Sequence, residues 1–304
     1  MPTAGFWARD GGVARFTPRF AAVAGTVYAV VGRRDARDGW SEQARVSVPV
    51  SRLVPSTVVE AIDPGCEQVP ANLLRFSVSF SAAMEEGSAA GRVHLRDANG
   101  PDLPGALFEM PPELWDRDRR RLTVLLEPGR IKRGLQPNLQ AGPPLREGMT
   151  VTVVVDPGIR DAAGAELAAG ARRSYSVGPA VRSRIDPAHW EVRWPEARHD
   201  PLVVRFGRPL DRALVRRCLR PVDRHGHPVP GRASLDADSS EWVFTPDARA
   251  VGHGGWSLRI DTRLEDLAGN SVRRIFDRDL DRSDDGGIDA PMIILTPDGR
   301  VRNG

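Results

Sequence analysis

The residues best spaced to hold a metal ion are the two histidines of His225-Gly-His227, with Asp223 two residues before the first. Imidazole nitrogens are common zinc ligands, and alternate residues of a strand point to the same side. Here the central residue is a glycine in a turn-like segment, so the two rings need not face one point. No third ligand follows at a known spacing. The trio is a metal-site candidate, and a solvated turn is the simpler interpretation.

Three aspartates near the carboxyl terminus resemble the start of a calcium-binding loop. Asp277, Asp279 and Asp281 match the first three ligand positions of an EF-hand. Arg282 stands where the loop requires glycine, and Ile288 stands where the last ligand, a glutamate, belongs. The EF-hand pattern therefore fails. We expect no cofactor, and a looser Ca²⁺ site between the two later modules is the alternative.

Two further groups of side chains suggest ligand binding. Trp115 is flanked by charged residues and is the best candidate for an exposed ring that stacks on a sugar. Arg130, Lys132 and Arg133 form a basic group that could contact an anionic polymer. Acidic residues interrupt the basic runs, and the formal net charge is only +3, so nucleic acid is not an expected partner.

The sequence favours a protein that is not an enzyme. It contains no Gly-x-Ser-x-Gly nucleophile motif, no phosphate-binding loop and no His-Glu-x-x-His zinc motif. Its two cysteines, Cys66 and Cys218, lie in different repeats and lack a CxxC partner. Two such cysteines are no disulfide framework, so we predict two small buried thiols.

The elements that would position these residues are short strands. The 30 glycines and 26 prolines fall between short apolar runs, which is typical of strands joined by turns. In the segment 74–80, Leu74, Phe76, Val78 and Phe80 alternate with polar residues, as the strand of a two-layer sandwich should. Turn signals recur at intervals of roughly 8–12 residues. We predict an all-β fold of β-sandwiches.

The order of these elements repeats along the chain. A strand, a proline-bearing loop, a glycine and an alternating strand follow one another around Val13, Leu122 and Trp242. We predict a partial module at 1–50, complete modules at 51–178 and 179–280, and a poorly ordered tail at 281–304. The partial module matches only the late half of the others, so it either docks on the next module or reflects a truncated amino terminus. No signal peptide is visible, and no apolar run approaches the ~20 residues that span a bilayer.

Period-two alternation also selects the core of each complete module. For the first module the predicted core residues are Leu74, Phe76, Val78, Phe80, Leu122, Val124, Leu126, Val151, Val153 and Val155. For the second module they are Leu202, Val204, Phe206, Trp242, Phe244, Leu258 and Ile260.

Two short motifs carry a resemblance to a known family. Phe80-Ser-Ala-Ala-Met84 in the first module and Asp266-Leu-Ala-Gly-Asn270 in the second resemble bacterial Ig-like domains of the S-layer type, often called SbsA Ig-like. The first module has a looser Asp161-Ala-Ala-Gly164, and the second has Leu210 where Met84 would sit.

The resemblance implies tandem Ig-like sandwiches in a non-enzymatic structural or binding module of the bacterial cell envelope or of a secreted protein. It implies an extracellular or envelope location, with a cell-wall or surface glycan, or another envelope protein, as the partner. The alternatives are accessory domains of a larger enzyme and a carbohydrate-binding module.

Overall fold

A computed structural model of the protein describes residues 3–19, 22–23, 25–33, 37–48, 54–98, 100–197, 199–247, 255–277 and 289–303. The chain divides into two compact units, Met1–Val54 and Pro55–Gly304. Strands form most of the regular structure in the described residues, which confirms the all-β prediction. No helix among these residues is long and apolar enough to cross a membrane.

The first unit consists of two antiparallel hairpins. One pairs β1 (Gly5–Asp10) with β2 (Val13–Pro18), and the other pairs β3 (Val27–Gly32) with β4 (Ser41–Ser47). Each hairpin is a two-stranded sheet of its own within the described residues. Large apolar side chains on these strands are exposed, including Phe6 (72%) and Trp7 (64%).

The second unit begins with a β-sandwich of two four-stranded sheets. Its elements are β5 (Val59–Asp63), β6 (Gln68–Pro70), β7 (Arg75–Phe80), β8 (Val93–Asp97), β9 (Leu114–Trp115), β10 (Arg121–Leu125), α1 (Pro128–Ile131), α2 (Gln136–Ala141), β11 (Thr150–Val155) and β12 (Ala171–Gly178). The strand orders are β5-β7-β10-β9 and β6-β12-β11-β8. All neighbours are antiparallel except β6 and β12.

The inner faces of the two sheets form one apolar core. Along β7 the side chains alternate between half-buried and buried, and Phe76, Val78 and Phe80 are at most 2% exposed. These side chains meet Val151 and Val153 of the opposite sheet. Every predicted core residue of this module is buried except Val124, which is half-buried and packs on the edge of the core. Period-two patterning therefore identified the inward residues of the main strands, although the core also contains buried residues such as Met84 and Tyr175 that it did not select.

A second sandwich follows in the same unit. Its elements are β13 (Glu191–Arg193), β14 (Leu202–Arg205), α3 (Arg212–Cys218), β15 (Leu219–Val222), β16 (Gly231–Leu235), β17 (Glu241–Pro246), β18 (Ser257–Asp261), β19 (Met292–Leu295) and β20 (Val301–Asn303). The strand orders are β13-β14-β17-β16 and β15-β18-β19-β20. All seven predicted core residues of this module are buried, which confirms the assignment.

The prediction of a poorly ordered tail is wrong for the residues after 288 that the structure describes. β19 pairs with β18, and its Ile293 is fully buried while Leu295 is 3% exposed. The segment 271–276 forms no strand, and β19 lies beside β18 in the sheet. An exposed edge of β18 would leave Leu258 and Ile260 unprotected, so the distant apolar segment Met292–Leu295 is needed to cover them.

The two sandwiches repeat the same turn near their ends. The amide of Gly164 donates to the carbonyl of Asp161 at 2.8 Å, and that of Gly269 donates to Asp266 at 3.1 Å. Both glycines have positive φ angles, 88° and 78°, which only glycine adopts readily.

The residue opposite each turn is equivalent as well. Met84 bridges to Asp161 and Leu210 bridges to Asp266, and both apolar side chains are at most 1% exposed. The motif positions of the sequence are thus equivalent in space, and Leu210 takes the place of Met84.

Candidate functional site

Several partly buried charged side chains lie where the two sandwiches meet. Side chains alternate along β7, so Arg75 projects away from the core of the first sandwich. Its Nε donates to Asp211 at 2.9 Å and its Nη2 donates to Glu265 at 2.6 Å, and both carboxylates belong to the second sandwich. Burial lowers the pKa of Arg75, but the two carboxylates outweigh burial and raise it overall. Arg75 is therefore a charged link between the sandwiches.

Arg212 on α3 forms a second link. Its Nε lies 3.1 Å from the Oδ1 of Asp63 in the first sandwich, although that contact is not aligned as a hydrogen bond. Its Nη2 donates to the carbonyls of Asp236 and Ala237 at 2.6 and 2.8 Å. Gly65 lies against the same loop, and a Cβ atom at this position would lie 1.9 Å from the carbonyl oxygen of Ala237. Only glycine allows this approach of two backbones.

The fully buried carboxylate of Asp277 forms a third link. Its Oδ2 accepts from the Nε of Arg182 at 2.7 Å and from the Nε of Arg133 at 3.1 Å. Its Oδ1 accepts from the backbone amide of Arg133 at 2.9 Å. Lys132 lies 4.5 Å from the ring centroid of Phe276. A carboxylate so buried requires such partners, because an unpaired buried charge is costly.

Apolar and main-chain contacts reinforce these ion pairs. The amide of Leu74 donates to the carbonyl of Leu267 at 2.9 Å. The side chain of Asn72 exchanges two hydrogen bonds with the backbone of Val181, at 2.7 and 2.9 Å. Leu267 and Phe276 of the second sandwich pack against the core of the first. The described part of the junction is a packed interface and not a flexible linker.

A cleft of about 550 Å³ opens at this junction. Six arginines and three carboxylates line it: Arg75, Arg121, Arg212, Arg217, Arg263 and Arg274, with Asp63, Asp211 and Glu265. The side chains of Arg121, Arg217 and Arg274 make no ion pair with the residues that the structure describes. The buried Nε of Arg121 also lacks a hydrogen-bond acceptor. The cleft thus has an excess of guanidinium groups, which suit carboxylate or phosphate oxygens.

The predicted histidine site is a turn whose polar atoms bond to one another. The Oδ1 of Asp223 accepts from the backbone amides of His225 and His227, at 2.8 and 2.9 Å. The two imidazole rings lie 6.2 Å apart, and the Nε2 of His225 accepts from Arg224. No group of three potential ligands gathers around a common point in the described part of the chain. The three candidate residues thus lie on one turn, and the carboxylate accepts from its backbone amides.

Trp115 is not the exposed ring that the sequence led us to expect. It is half-buried, its ring centroid lies 5.7 Å from that of Phe80, and its Nε1 donates to Glu113 at 2.7 Å. The ring therefore contributes to the edge of the first core. A charged sequence neighbourhood does not show which way an aromatic side chain points.

The predicted basic group serves the fold as well. The guanidinium of Arg130 donates to backbone carbonyls, including those of Pro104, Gly105 and Gly142 at 2.7–2.9 Å. Lys132 and Arg133 make the contacts with the second sandwich described above. Each of the three side chains thus contacts another part of the chain. Of the aspartates in the failed EF-hand pattern, Asp279 and Asp281 lie outside the described residues.

Both cysteines are buried free thiols, as predicted. Burial raises the pKa of Cys66, and it raises the pKa of Cys218 to about 11. A thiol with a raised pKa is a poor nucleophile at neutral pH. Arg75, Asp211 and Glu265 were not among the site residues predicted from the sequence. The available signal was the charge of Arg75 on the outward face of an alternating strand and the place of Asp211 just before a short helix.

Comparison with known proteins adds little to this geometry. No known family profile matches the sequence, and no curated protein matches it. Similar solved structures include the S-layer protein rSbsC(31-844), domains 1–6 of the surface layer protein SbsC, and the N-terminal part of the bacterial S-layer protein SbsC. Each is 14% identical, with TM-scores of 0.29, 0.29 and 0.28. The matches cover 67% of this chain and 23%, 23% and 40% of those chains, so this chain spans less than half of each.

Proposed function

We propose that this chain is a non-enzymatic structural module of the bacterial cell envelope or of a secreted protein, in which two Ig-like sandwiches act as one rigid spacer. The rigid-spacer role is supported mainly by the double ion pair of Arg75 with Asp211 and Glu265 across the junction. The envelope part rests on the resemblance of the Phe80–Met84 and Asp266–Asn270 motifs to S-layer-type domains.

The junction favours rigidity because several contacts of different kinds join the two sandwiches. They are the ion pairs of Arg75, the buried carboxylate of Asp277 and the close backbone contact at Gly65. Domain interfaces of this density resist hinge motion, whereas sparse polar interfaces permit it. A rigid pair of sandwiches transmits force and sets distance, which are the tasks of a surface spacer.

Distance measurements between spin labels test the rigidity. Labels at Glu147→Cys in the first sandwich and Arg232→Cys in the second should give one narrow distance distribution, because both positions are exposed and lie on different sandwiches. In the double variant Arg75→Ala, Asp277→Asn, the same two labels should give a broader distance distribution. A broad distribution in the unmodified junction would contradict the rigid spacer.

Location is tested separately in the source cells. A membrane-impermeant biotin reagent applied to intact cells should label this chain, while a cytoplasmic marker stays unlabelled. Recovery of the chain only after lysis would contradict the envelope or secreted location without affecting the rigidity result.

The cleft favours a second candidate function, which is the binding of an anionic group. Arg121, Arg217 and Arg274 supply positive charge that no described carboxylate neutralises, and the buried Nε of Arg121 needs an acceptor. Titration of phosphate or citrate into the ¹⁵N-labelled protein, followed by NMR, should shift the amide resonances of cleft residues at low salt. The shifts should be smaller at high salt. Arg121→Met should abolish the shifts, and Arg117→Met, an exposed arginine that does not line the cleft, should leave them unchanged.

A further inference from the structure

The floor of the junction cleft is the outer face of the first sandwich. Successive side chains of a strand point to opposite faces, so Arg75 and Ser77 of β7, and Arg121 and Thr123 of β10, project away from the core. All four residues line the cleft, and Ser77 lies directly opposite Thr123 in the register of the two strands. Two hydroxyl groups therefore lie between two guanidinium groups along this face.

Arg121 lies apart from the carboxylates that hold Arg75. Arg75 is opposite Leu125 in the strand register, and Arg121 precedes Leu125 by four residues, which is roughly 13 Å of strand length. In the described part of the chain the guanidinium of Arg121 has no carboxylate partner, and its buried Nε has no acceptor. Because buried donors are normally satisfied, this end of the cleft favours a ligand that supplies oxygen atoms.

The facing wall of the cleft belongs to the second sandwich and adds two more unpaired cations. Arg217 lies in the last turn of α3, and Arg274 follows the Asp266–Asn270 turn. Both residues are exposed, and neither side chain pairs with a carboxylate among the residues that the structure describes. Unpaired guanidinium groups from both sandwiches therefore line one cleft.

The charge of the lining indicates the charge of a matching ligand. Three of the six lining arginines already have carboxylate partners, and the pairs are Arg75 with Asp211 and Glu265, Arg212 with Asp63, and Arg263 with Asp261. Six guanidinium groups thus face four carboxylates, which leaves two net positive charges among these residues. A dianion neutralises this excess, whereas a monovalent anion leaves one positive charge.

The size and the apolar part of the lining suit a small organic ligand. The volume of about 550 Å³ lies within the range of roughly 300–1,000 Å³ that is typical of small-ligand sites. Leu114, which is 39% exposed, and Leu214 contribute apolar surface. Guanidinium groups bind phosphate and carboxylate oxygens through paired hydrogen bonds. The lining therefore matches a molecule that carries a dianionic phosphate group or two carboxylates.

We propose that the cleft binds a dianionic oxygen ligand, and that this ligand bridges the two sandwiches through Arg121 on one side and Arg217 and Arg274 on the other. Both statements rest on the second candidate function, the binding of an anionic group in this cleft. Because the cations come from both sandwiches, the complete site exists only while the junction is closed. A ligand that requires the closed junction also stabilises it, since the coupling between binding and closure is reciprocal.

Titration calorimetry of the full chain at pH 8 and constant ionic strength tests the ligand. Inorganic phosphate and succinate should both bind more tightly than acetate, the monovalent control, and the tighter dianion distinguishes a phosphate ligand from a dicarboxylate. Arg121→Met and Arg217→Met should each raise the dissociation constant about tenfold or more, because each removes a charge-assisted hydrogen bond. Arg216→Met, an exposed neighbour on α3 that does not line the cleft, should leave binding unchanged.

Hydrogen exchange of the Leu74 amide tests the bridge, because this amide donates to the carbonyl of Leu267 across the junction. The tighter dianion, at ten times its dissociation constant, should slow this exchange about tenfold. Phosphate also stabilises folded proteins by exclusion from their surface, so the decisive comparison is between variants. The slowing should be lost in Arg217→Met and retained in Arg216→Met.

The possible results separate the bridge from simple anion binding. If neither dianion binds, the second candidate function is wrong and the bridge fails with it. If binding depends on arginines of one sandwich only, and exchange at Leu74 does not slow, the anion site stands but the bridge is wrong. Acetate that binds as tightly as the dianions would overturn the assignment of a doubly charged ligand.

Discussion

Asp161 and Asp266 occupy the same position in two equivalent turns, yet their pKa values shift in opposite directions. Burial raises the pKa of Asp161, but the hydroxyl of Thr57 and the amides of the turn outweigh burial and lower it overall. At Asp266 burial is the larger effect, and it raises the pKa despite Arg208 and Asn270. One turn motif thus gives two electrostatic results, because the packing around it differs.

This difference predicts opposite pH dependences of stability. The lowered pKa of Asp161 adds stability above the ordinary value of 3.8, and this stability is lost as the pH falls below 3.8 through the folded-state pKa. The raised pKa of Asp266 reduces stability at neutral pH. The protein regains this stability as the pH falls through the folded-state pKa of Asp266, which lies above 3.8. Urea denaturation of Asp161→Asn and Asp266→Asn from pH 7 to pH 3 measures both effects relative to the unmodified protein.

For Asp161→Asn the stability difference from the unmodified protein should shrink at the acid end, below 3.8. For Asp266→Asn the unmodified protein should gain stability relative to the variant as the pH falls towards 3.8. Slopes of the same sign for both variants would contradict the assignment of opposite pKa shifts.

Removal of Arg75 should destabilise the second unit. The substitution Arg75→Ala leaves Asp211 and Glu265 close together without their shared cation, and breaking such a partly buried pair costs about 2–4 kcal/mol. The free energy of unfolding from urea melts measures this cost. Arg205→Ala is the matched control, because Arg205 pairs with Glu241 at 2.6 Å on an exposed surface, and it should give no measurable change. Equal effects of the two substitutions would show that burial at the junction does not matter.

Gly65→Ala should disturb the junction by steric contact alone. Its Cβ atom would lie 1.9 Å from the carbonyl oxygen of Ala237, so the loops must separate, at a cost of about 1–3 kcal/mol. The spin-label distance between the sandwiches should lengthen or broaden as well. Gly39→Ala is the control, because no atom lies within 4 Å of its Cβ position. An unchanged melt and distance for Gly65→Ala would show that the two loops do not touch.

Both thiols should react slowly with alkylating reagents at neutral pH. Burial raises the pKa of Cys218 to about 11 and that of Cys66 above its ordinary value of 9.0, so little thiolate is present. Mass spectrometry after a short iodoacetamide treatment should detect little modification of the native protein and complete modification after guanidinium denaturation. Rapid alkylation of either native thiol would show that its pocket opens.

The sequence by itself determined the strand class and the inward faces of the main strands. Alternation in Leu74–Phe80 predicts which side chains of β7 are inside, because a strand directs successive side chains to opposite faces wherever it is placed. Glycines such as Gly164 and Gly269 mark the turns because few other residues adopt a positive φ. These are local constraints, so a single sequence is enough to read them.

Tertiary structure alone decided which polar residues meet. Arg75 lies 136 residues from Asp211 and 190 from Glu265, and each is an ordinary charged residue in its own segment. Met292–Leu295 looked like an isolated apolar tail until the uncovered side of β18 gave it a place to be buried. The burial, ion pairing and pKa of a residue depend on which distant parts of the chain pack against it. The local sequence pattern contains no information about those partners. The outward face of a strand can therefore be predicted from sequence, but its partner cannot.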